Sequence, residues 1–416
     1  MRTRKVTRRG VLFIAGIVLL IVLTGCTNDG NRAADSEAPG ASNPAQTPSA
    51  SPSSPAATSP ASSGNSGNPS ATAPGQQMDQ RTGLVTALRL ADPKTGWAGG
   101  NGWIARTDDG GASWQVQYRG TGHVMQIFAL SAREAWASIE TDGGQTMQLV
   151  RTTDGGAHWA DAGTAPGGAF FHFVSASEAF GGNARTTDGG ATWHKLNIPD
   201  GTIGNAYFHD ANNGWAVTGG EGRFAVRRTT DGGQSWTTVL DKASEVPPHD
   251  AIIRSAGKND AWVELIGDSG MTQTSYSLLH TSDGGRNWQA VLANGGAGSG
   301  PAPGFAMDED KVPRNNGNSP GMLYVVSPKI AFMGGQCQAC DKPNTIGKTV
   351  DGGQSWVNLT GEYPGYGSQL IAAADADHVW WINTDRAEPS KMYVTSDGGK
   401  LWKLIHTFDN PSIELE

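Results

Sequence analysis

The sequence lacks a hydrophobic run long enough to cross a membrane as a helix. Its longest apolar stretch covers 13 residues, from Val11 to Leu23, and follows a basic opening that contains Arg8 and Arg9. A run of this length is short for a membrane span and typical of a signal peptide. We therefore expect the N-terminal segment to direct export, so that the rest of the chain lies outside the cytoplasm.

The segment ends in Leu23-Thr24-Gly25-Cys26, which resembles the lipobox of bacterial lipoproteins. The resemblance implies that residues 1–26 form a lipoprotein signal peptide, that Cys26 is lipidated, and that the protein is anchored to the outer face of the cell membrane. An uncleaved N-terminal anchor is the alternative. Thr7-Arg8-Arg9 also resembles a twin-arginine signal, so the export route stays open between that pathway and the general secretory one.

The sequence has no excess of positive charge. Its formal net charge is −8, and removal of the five basic residues that precede Cys26 makes it −13. A body this acidic is a poor general binder of nucleic acid or of anionic lipid head groups. We therefore expect no nucleic-acid partner, and we expect membrane attachment to come from the lipid.

Aromatic residues are missing from the stretch between Cys26 and about residue 77, which consists mainly of Ser, Pro, Ala, Thr, Gly and Asn. Such a composition cannot bury enough apolar area to offset the entropy of ordering the chain. We assign residues 27–79 as a disordered tether and residues 80–416 as the folded body.

The folded body repeats one nine-residue segment seven times. Its seven copies are RTDDGGASW (106–114), RTTDGGAHW (151–159), RTTDGGATW (185–193), RTTDGGQSW (228–236), HTSDGGRNW (280–288), KTVDGGQSW (348–356) and VTSDGGKLW (394–402). The Asp side chain can accept backbone N–H bonds, and glycine reaches the positive φ values of a tight turn, so each copy predicts a hairpin. His158, Asn287 and Leu401 replace the usual Ser or Thr, and we expect those hairpins to lose a side-chain hydrogen bond.

A second motif, an aromatic residue among small neighbours, precedes each hairpin. Examples are Gly96-Trp97-Ala98 and Gly214-Trp215-Ala216, and an alternating apolar run precedes each of them. Each repeat therefore predicts four short antiparallel strands. Seven repeats of this kind predict an all-β, seven-bladed β-propeller, with a Gly/Pro/Asn-rich insertion at 294–321 that projects from one face.

The nine-residue segment resembles the Asp-box, or BNR, repeat of sialidases, other glycosidases and several non-enzymatic propellers. The two motifs together resemble the Ycf48/HCF136-like propellers over roughly residues 80–408. Characterised members of that family are non-catalytic photosystem II assembly factors that bind a membrane-protein subunit, in part through arginines. The resemblance implies a scaffold that holds another protein at the outer face of a membrane; nothing in the sequence indicates a photosynthetic host.

The most conspicuous side chains have structural explanations. The seven repeat carboxylates sit in hairpins and are assigned to the scaffold: Asp109, Asp154, Asp188, Asp231, Asp283, Asp351 and Asp397. A basic residue opens six of the seven segments, and the arginines among them are candidate partner-binding residues: Arg106, Arg151, Arg185 and Arg228. Ion pairs with neighbouring carboxylates are the structural alternative for this ring, and exposed pairs of that kind contribute only about 0 to 1 kcal/mol each.

Cysteine is scarce, with three residues in the whole chain. Cys337 and Cys340 lie three apart, and outside the cytoplasm a local disulfide is the expected state. A loop this small should add only about 2 kcal/mol of stability. Zinc would need two further ligands that no nearby spacing supplies, so we expect no metal and no cofactor.

Two functions remain open on these observations. The sequence has no Arg-Ile-Pro motif and no tyrosine placed as in sialidases, which favours a non-catalytic binding protein with an envelope or membrane protein as its partner. The alternative is a glycoside hydrolase, lyase or sialidase-like enzyme that acts on extracellular or cell-wall glycan, because propeller sites gather residues from different blades.

Overall fold

The computed structural model describes residues 78–141, 146–167, 170–296, 298–306, 311–337, 342–359, 368–385 and 387–411. Contacts divide the chain into Met1–Gly67 and Asn68–Glu416, and the described residues all belong to the second unit. The expected signal peptide, the lipidated Cys26 and nearly all of the tether lie outside the described residues.

The described chain is all-β and alternates short strands with turns. In order, its strands are β1 (Val85–Leu90), β2 (Gly96–Thr107), β3 (Gln115–Ala129), β4 (Ala135–Thr141), β5 (Thr146–Thr152), β6 (Ala160–Ala165), β7 (His172–Phe173), β8 (Ala179–Gly181), β9 (Ala184–Thr186), β10 (His194–Lys195), β11 (Thr202–Phe208), β12 (Gly214–Gly220), β13 (Arg223–Thr229) and β14 (Thr237–Ala243). The second half contains β15 (Asp250–Arg254), β16 (Ala261–Ser269), β17 (Thr274–Thr281), β18 (Gln289–Asn294), β19 (Ser319–Val325), β20 (Ala331–Gln336), β21 (Thr345–Thr349), β22 (Val357–Asn358), β23 (Gln369–Ala373), β24 (Val379–Asn383), β25 (Lys391–Thr395) and β26 (Lys403–Thr407).

The prediction of seven separate blades is wrong. The described strands form six antiparallel sheets: one of six strands, β1 to β6, and five of four strands, β7–β10, β11–β14, β15–β18, β19–β22 and β23–β26. The difference arises at β3, which runs without a break for 15 residues. Its first part pairs with β2 and its second part pairs with β4, so the first two repeats share one sheet.

The sheets are arranged as a propeller. The first strands of neighbouring sheets contact one another, as β11 contacts β15 and β19 contacts β23, and the last sheet returns to the first through β23 and β1. Aromatic and aliphatic side chains fill the spaces between sheets, where Trp136, Trp215 and Trp262 are fully buried. Trp97 is fully buried among residues of the six-stranded sheet itself. Burial of these large apolar surfaces is the main favourable term in forming the ring.

Each nine-residue segment forms the hairpin that its sequence predicts. In the fourth copy, Asp231 accepts hydrogen bonds from the Ser235 hydroxyl at 2.5 Å and from the Ser235 N–H at 2.9 Å, while the Thr229 hydroxyl donates to it at 2.7 Å. These bonds lower the pKa of Asp231 to about 2. The Gly233 N–H donates to the Thr229 oxygen at 2.9 Å, and both glycines have positive φ. We call these seven turns the repeat hairpins.

Two of the three irregular hairpins keep the side-chain hydrogen bond that we expected them to lose. The His158 ring nitrogen lies 2.7 Å from Asp154, and the Asn287 amide donates to Asp283 at 2.7 Å. Leu401 offers only its backbone N–H to Asp397. Imidazole and carboxamide thus replace the hydroxyl, and the expected loss occurs only at Leu401.

Every repeat hairpin is tied to the turn that joins the first two strands of its own repeat. In each case the N–H of the first glycine donates to a carbonyl of that turn: Gly110 to Lys94, Gly155 to Arg133, Gly189 to Ser177, Gly232 to Asn212, Gly284 to Asn259, Gly352 to Lys329 and Gly398 to Asp377. These bonds are 2.7 to 3.2 Å long. They place the hairpins and the first turns at the same face of the propeller.

The insertion at 294–321 does not simply project, as its composition suggested. Its described part folds back onto the sheets, where the Ser277 hydroxyl donates to the Pro303 carbonyl at 2.8 Å and the Gly304 N–H donates to Ser244 at 2.7 Å. Ala302 is fully buried. Backbone bonds to buried serines therefore hold this irregular segment in place.

Candidate functional site

The four candidate arginines lie over the aromatic residue of their own repeat. The guanidinium carbons of Arg106, Arg151, Arg185 and Arg228 are 4.8 to 5.7 Å from the ring centroids of Trp97, Trp136, Phe180 and Trp215. Such cation–π contacts stabilise a partly exposed arginine by about 0.5 to 1 kcal/mol. The motif that places an aromatic residue ahead of each hairpin therefore also positions these arginines.

Their polar groups are engaged within the protein. Arg106 donates to the carbonyls of Ala132 at 2.5 Å and Gly155 at 3.1 Å, and it pairs with Asp108. Arg228 donates to the Gly284 carbonyl at 3.0 Å. Both arginines thus connect their own hairpin to the hairpin of the next repeat.

Arg151 and Arg185 instead form ion pairs with carboxylates of the first turn of their own repeat. Arg151 pairs with Glu134, and Arg185 pairs with Glu178 at 2.6 Å. His280 and Lys348 occupy the same position in later repeats and reach the next hairpin: His280 lies 2.8 Å from the Gly352 carbonyl, and Lys348 donates to the Gly398 carbonyl at 2.6 Å.

Intramolecular contacts therefore occupy much of this basic ring. Arg106 has only 14% of its side chain exposed, although it lines an open groove of about 900 Å³ together with Arg133 and Asp154. A role for the four arginines in binding a partner remains a prediction.

The predicted disulfide falls partly outside the described residues. Cys337 is buried and disulfide-bonded, whereas Cys340 lies in a segment that is not described. The pairing of Cys337 with Cys340 stays a prediction.

A more concentrated set of side chains lies at the centre of the propeller. The residue eight positions before the motif aromatic pairs directly with that aromatic in every repeat, for example Arg89 with Trp97 and Arg254 with Trp262. The seven equivalent residues, which we call the channel ring, are Arg89, Phe128, His172, Tyr207, Arg254, Tyr324 and Ala372.

The channel ring surrounds a cavity of about 570 Å³ that six of its seven members line directly. The cavity opens beside the first turns, because Asp92, Ser255 and Asp375 also line it. A second cavity of about 450 Å³ lies further along the channel and is mostly apolar, with Met125, Met147 and Met322 in its wall. Phe170 and Arg254 line both cavities, and the Arg254 guanidinium lies 3.6 Å from the centre of the Phe170 ring.

Burial dominates the electrostatics of the ring. It lowers the pKa of His172 to about 4, raises that of Tyr207 to about 12, and lowers that of Arg254 to about 10. At neutral pH, His172 is therefore uncharged and Arg254 is protonated. The Tyr207 hydroxyl lies 3.2 Å from His172 and donates to the Ser255 carbonyl at 3.3 Å, which fixes both rings in the channel wall.

The carboxylates at the mouth of the cavity accept hydrogen bonds from the backbone of their own turns. Asp92 accepts N–H bonds from Lys94 and Thr95 at 2.8 and 2.9 Å, and Asp375 accepts the N–H bond of His378 at 2.8 Å. Partial burial opposes the effect, but these hydrogen bonds still lower the pKa of both aspartates. Both are therefore ionised at neutral pH.

The channel ring was not predicted from the sequence, because its seven positions vary in residue type whereas the hairpin and aromatic motifs repeat. The signal was present as a constant spacing of eight residues before each motif aromatic, at which two arginines and several aromatic residues occur. Trp103 and Trp381, the two tryptophans outside both motifs, prove to be fully buried.

The fold and this central channel define the chain as a β-propeller with a ligand-sized cavity on its axis. No protein-family model and no curated protein matches the sequence. Among the described residues, no helix is long and apolar enough to span a membrane, and no cluster of three or more potential metal ligands occurs.

Several solved structures are similar to the chain. A structure of YCF48 bound to D1 peptide is 17% identical with a TM-score of 0.46, over 77% of this chain and 93% of the other. The GH74 xyloglucanase from Xanthomonas campestris is 15% identical with a TM-score of 0.50, over 78% of this chain and 55% of the enzyme. The BP39L lectin from Burkholderia pseudomallei is 10% identical with a TM-score of 0.50, over 80% and 100%. At these identities the likeness shows the propeller fold alone, which hosts both binding proteins and enzymes.

Proposed function

We propose that this chain is an exported, lipid-anchored binding propeller that holds a protein partner of the cell envelope outside the cytoplasm. The channel ring carries the proposal, because it presents two arginines and several aromatic side chains at an open cavity. Arginine and aromatic residues are enriched where proteins bind their partners. The double motif that resembles the Ycf48/HCF136-like propellers supports the same class of function.

The two described carboxylates that line the channel-ring cavity, Asp92 and Asp375, favour binding over hydrolysis. A glycosidase pairs one ionised carboxylate with a second carboxyl that keeps its proton at working pH. Asp92 and Asp375 both have lowered pKa values. Glu264 does have a raised pKa, but it is buried and lines neither cavity.

Site-specific photo-crosslinking in intact cells tests the proposal. A photoreactive residue at Met125, which is 48% exposed in the rim of the second cavity, should give one defined protein adduct. The matched control is the same residue at Leu401, which is 75% exposed on the seventh repeat hairpin and lines neither cavity. Equal adducts at both positions, or none at Met125, would contradict a partner site at the channel.

The enzymatic alternative is tested on the same purified protein. Incubation with neutral and acidic glycans should release no product. Turnover that Asp92→Asn or Asp375→Asn abolishes, while Asp108→Asn leaves it unchanged, would replace the binding proposal by a glycan-cleaving enzyme.

A further inference from the structure

The two arginines of the channel ring have no carboxylate partner among the described residues. The Arg89 guanidinium lies 4.6 Å from the Phe128 ring centre, and its buried Nε has no hydrogen-bond partner in the part of the chain that the structure describes. Arg254 donates to the carbonyl of Ile253 at 2.9 Å and otherwise faces Phe170. By contrast, Arg106, Arg151 and Arg185 of the basic ring each pair with an acidic side chain.

The two guanidinium charges are close enough to affect each other and their neighbours. Burial is the main cause of the lowered pKa of Arg254, and the charge of Arg89 lowers it further. Both arginines also disfavour a charge on His172. Two like charges in a partly desolvated cavity repel each other, and an anion placed between them would remove that cost.

Glu264 is the carboxyl group with the largest electrostatic effect on Arg254, and it does not neutralise the arginine. Glu264 is 1% exposed, and burial raises its pKa to about 8. At pH 7 its carboxyl is therefore mainly protonated, and the positive charge of the channel remains.

We infer that the channel ring is a binding site for a single carboxylate carried on a small aromatic or apolar body. Arginine matches the planar, two-oxygen geometry of a carboxylate. Phe128, Tyr207 and Tyr324 provide flat apolar walls beside it. A cavity of about 570 Å³ is within the usual range of small-molecule sites. The site goes beyond the proposed partner function, since it needs no second protein.

Isothermal titration of the purified chain with benzoate and with 3-phenylpropionate tests the inference directly. We expect saturable one-to-one binding that weakens as salt is raised. Benzamide, which has the same ring without the charge, and acetate, which has the charge without the ring, should each bind at least about tenfold more weakly. Equal binding of benzamide would show an apolar pocket and overturn the inference, as would no binding of either aromatic acid.

Substitutions locate the site. Arg89→Gln should weaken benzoate binding at least about tenfold. Arg254→Lys, which keeps the charge but loses the planar fork, should weaken it less than Arg254→Gln does. Arg133→Gln changes an exposed arginine outside the channel and should leave the affinity unaltered. Circular dichroism and thermal unfolding identify any variant that fails to fold, and unchanged affinity in a folded Arg89→Gln variant would refute the assignment.

A capped dipeptide, acetyl-Phe-Glu-amide, distinguishes a free acid from a carboxylate on a protein chain. Stronger binding of benzoate supports a free small-molecule ligand, whereas stronger binding of the dipeptide supports an acidic side chain of a partner as the source. Because all of these titrations use the chain alone, their failure would leave the photo-crosslinking result, and with it the proposed function, unaffected.

Discussion

Replacing Glu264 with glutamine should stabilise the protein at neutral pH and remove part of its pH dependence. Glu264 lies in β16, is 1% exposed, and has one carboxylate oxygen without a hydrogen-bond partner in the described structure. Burial raises its pKa from 4.5 to about 8, against the attraction of the Arg254 charge. The folded protein therefore holds a proton that the unfolded chain releases.

The sign of the effect follows from proton linkage. Below pH 4.5, Glu264 is protonated in both states, so its ionisation does not lower the free energy of unfolding. Between pH 4.5 and 8 the unfolded chain releases the proton of Glu264 whereas the folded chain keeps it. The free energy of unfolding therefore falls by about 1.4 kcal/mol per pH unit. At pH 7 this amounts to roughly 3 kcal/mol as an upper estimate, and the loss levels off above about pH 8.

Denaturant unfolding of Glu264→Gln and the wild type at pH 4.5, 6, 7 and 8 measures this contribution, with tryptophan fluorescence and circular dichroism as coincident probes. The advantage of the variant should grow by on the order of 2 to 3 kcal/mol between pH 4.5 and 7. Glu245→Gln, at an exposed position, is the control and should show no such growth. A constant difference between Glu264→Gln and the wild type at all four pH values would refute the reasoning.

Three further predictions concern the hairpins and the turns to which they are tied. Leu401→Ser should restore the missing side-chain hydrogen bond to Asp397 and raise the free energy of unfolding by about 0.5 to 1 kcal/mol. Little apolar burial is lost, because Leu401 is 75% exposed. A destabilised variant in denaturant unfolding would contradict this. Thr229→Val should cost about 1 to 3 kcal/mol, since it leaves the Gly233 N–H without its acceptor, and faster hydrogen exchange at that amide is the readout. Asp260→Ala should cost at least about 2 kcal/mol, because it removes the partner of a buried histidine. Asp108→Ala breaks an ion pair whose carboxylate side chain is 65% exposed, and it should cost less than about 1 kcal/mol. Similar melting temperatures for these two variants would argue against that ranking.

The hairpins and their order could be predicted from sequence because each depends on local chemistry. Asp, two glycines and a preceding Thr specify a turn whose hydrogen bonds lie within nine residues, as at Thr229 to Gly233. The motif tryptophans were likewise predictable as core, since only burial between sheets accounts for large aromatic residues at a fixed interval.

The number of sheets could not be predicted in the same way, because it depends on pairing between repeats. Gly120 and Gly122 lie inside β3, which continues through both of them. Gly122 has a φ of 91°, and a Cβ there would lie 2.1 Å from the Glu140 carbonyl, so glycine lets the strand bend against its neighbour without ending. Sequence spacing does not distinguish that bend from a loop.

The channel ring could not be predicted from local sequence for the same reason. Its members are ordinary residues in ordinary strands, and nothing local distinguishes Arg89 or Arg254 from the arginines of the hairpins. Only the shared register with the motif aromatics brings them to one axis.

The side-chain hydrogen bonds between repeat hairpins run from one hairpin to the next along the chain, and the series stops at the seventh hairpin. Basic side chains reach forward from Arg106, Arg228, His280 and Lys348 to the following hairpin, but the seventh segment opens with Val394, which has no cation to reach the first.

The two ends of the described chain close that gap instead. Thr82 and Asp409 exchange hydrogen bonds of 2.7 to 3.1 Å, and the Phe408 ring contacts both Trp103 and Trp114. Trimming the chain to before Phe408 would therefore do more than shorten it. It would remove these contacts from the junction between the last sheet and the first, and the packing of β23 against β1 would be left to close the ring.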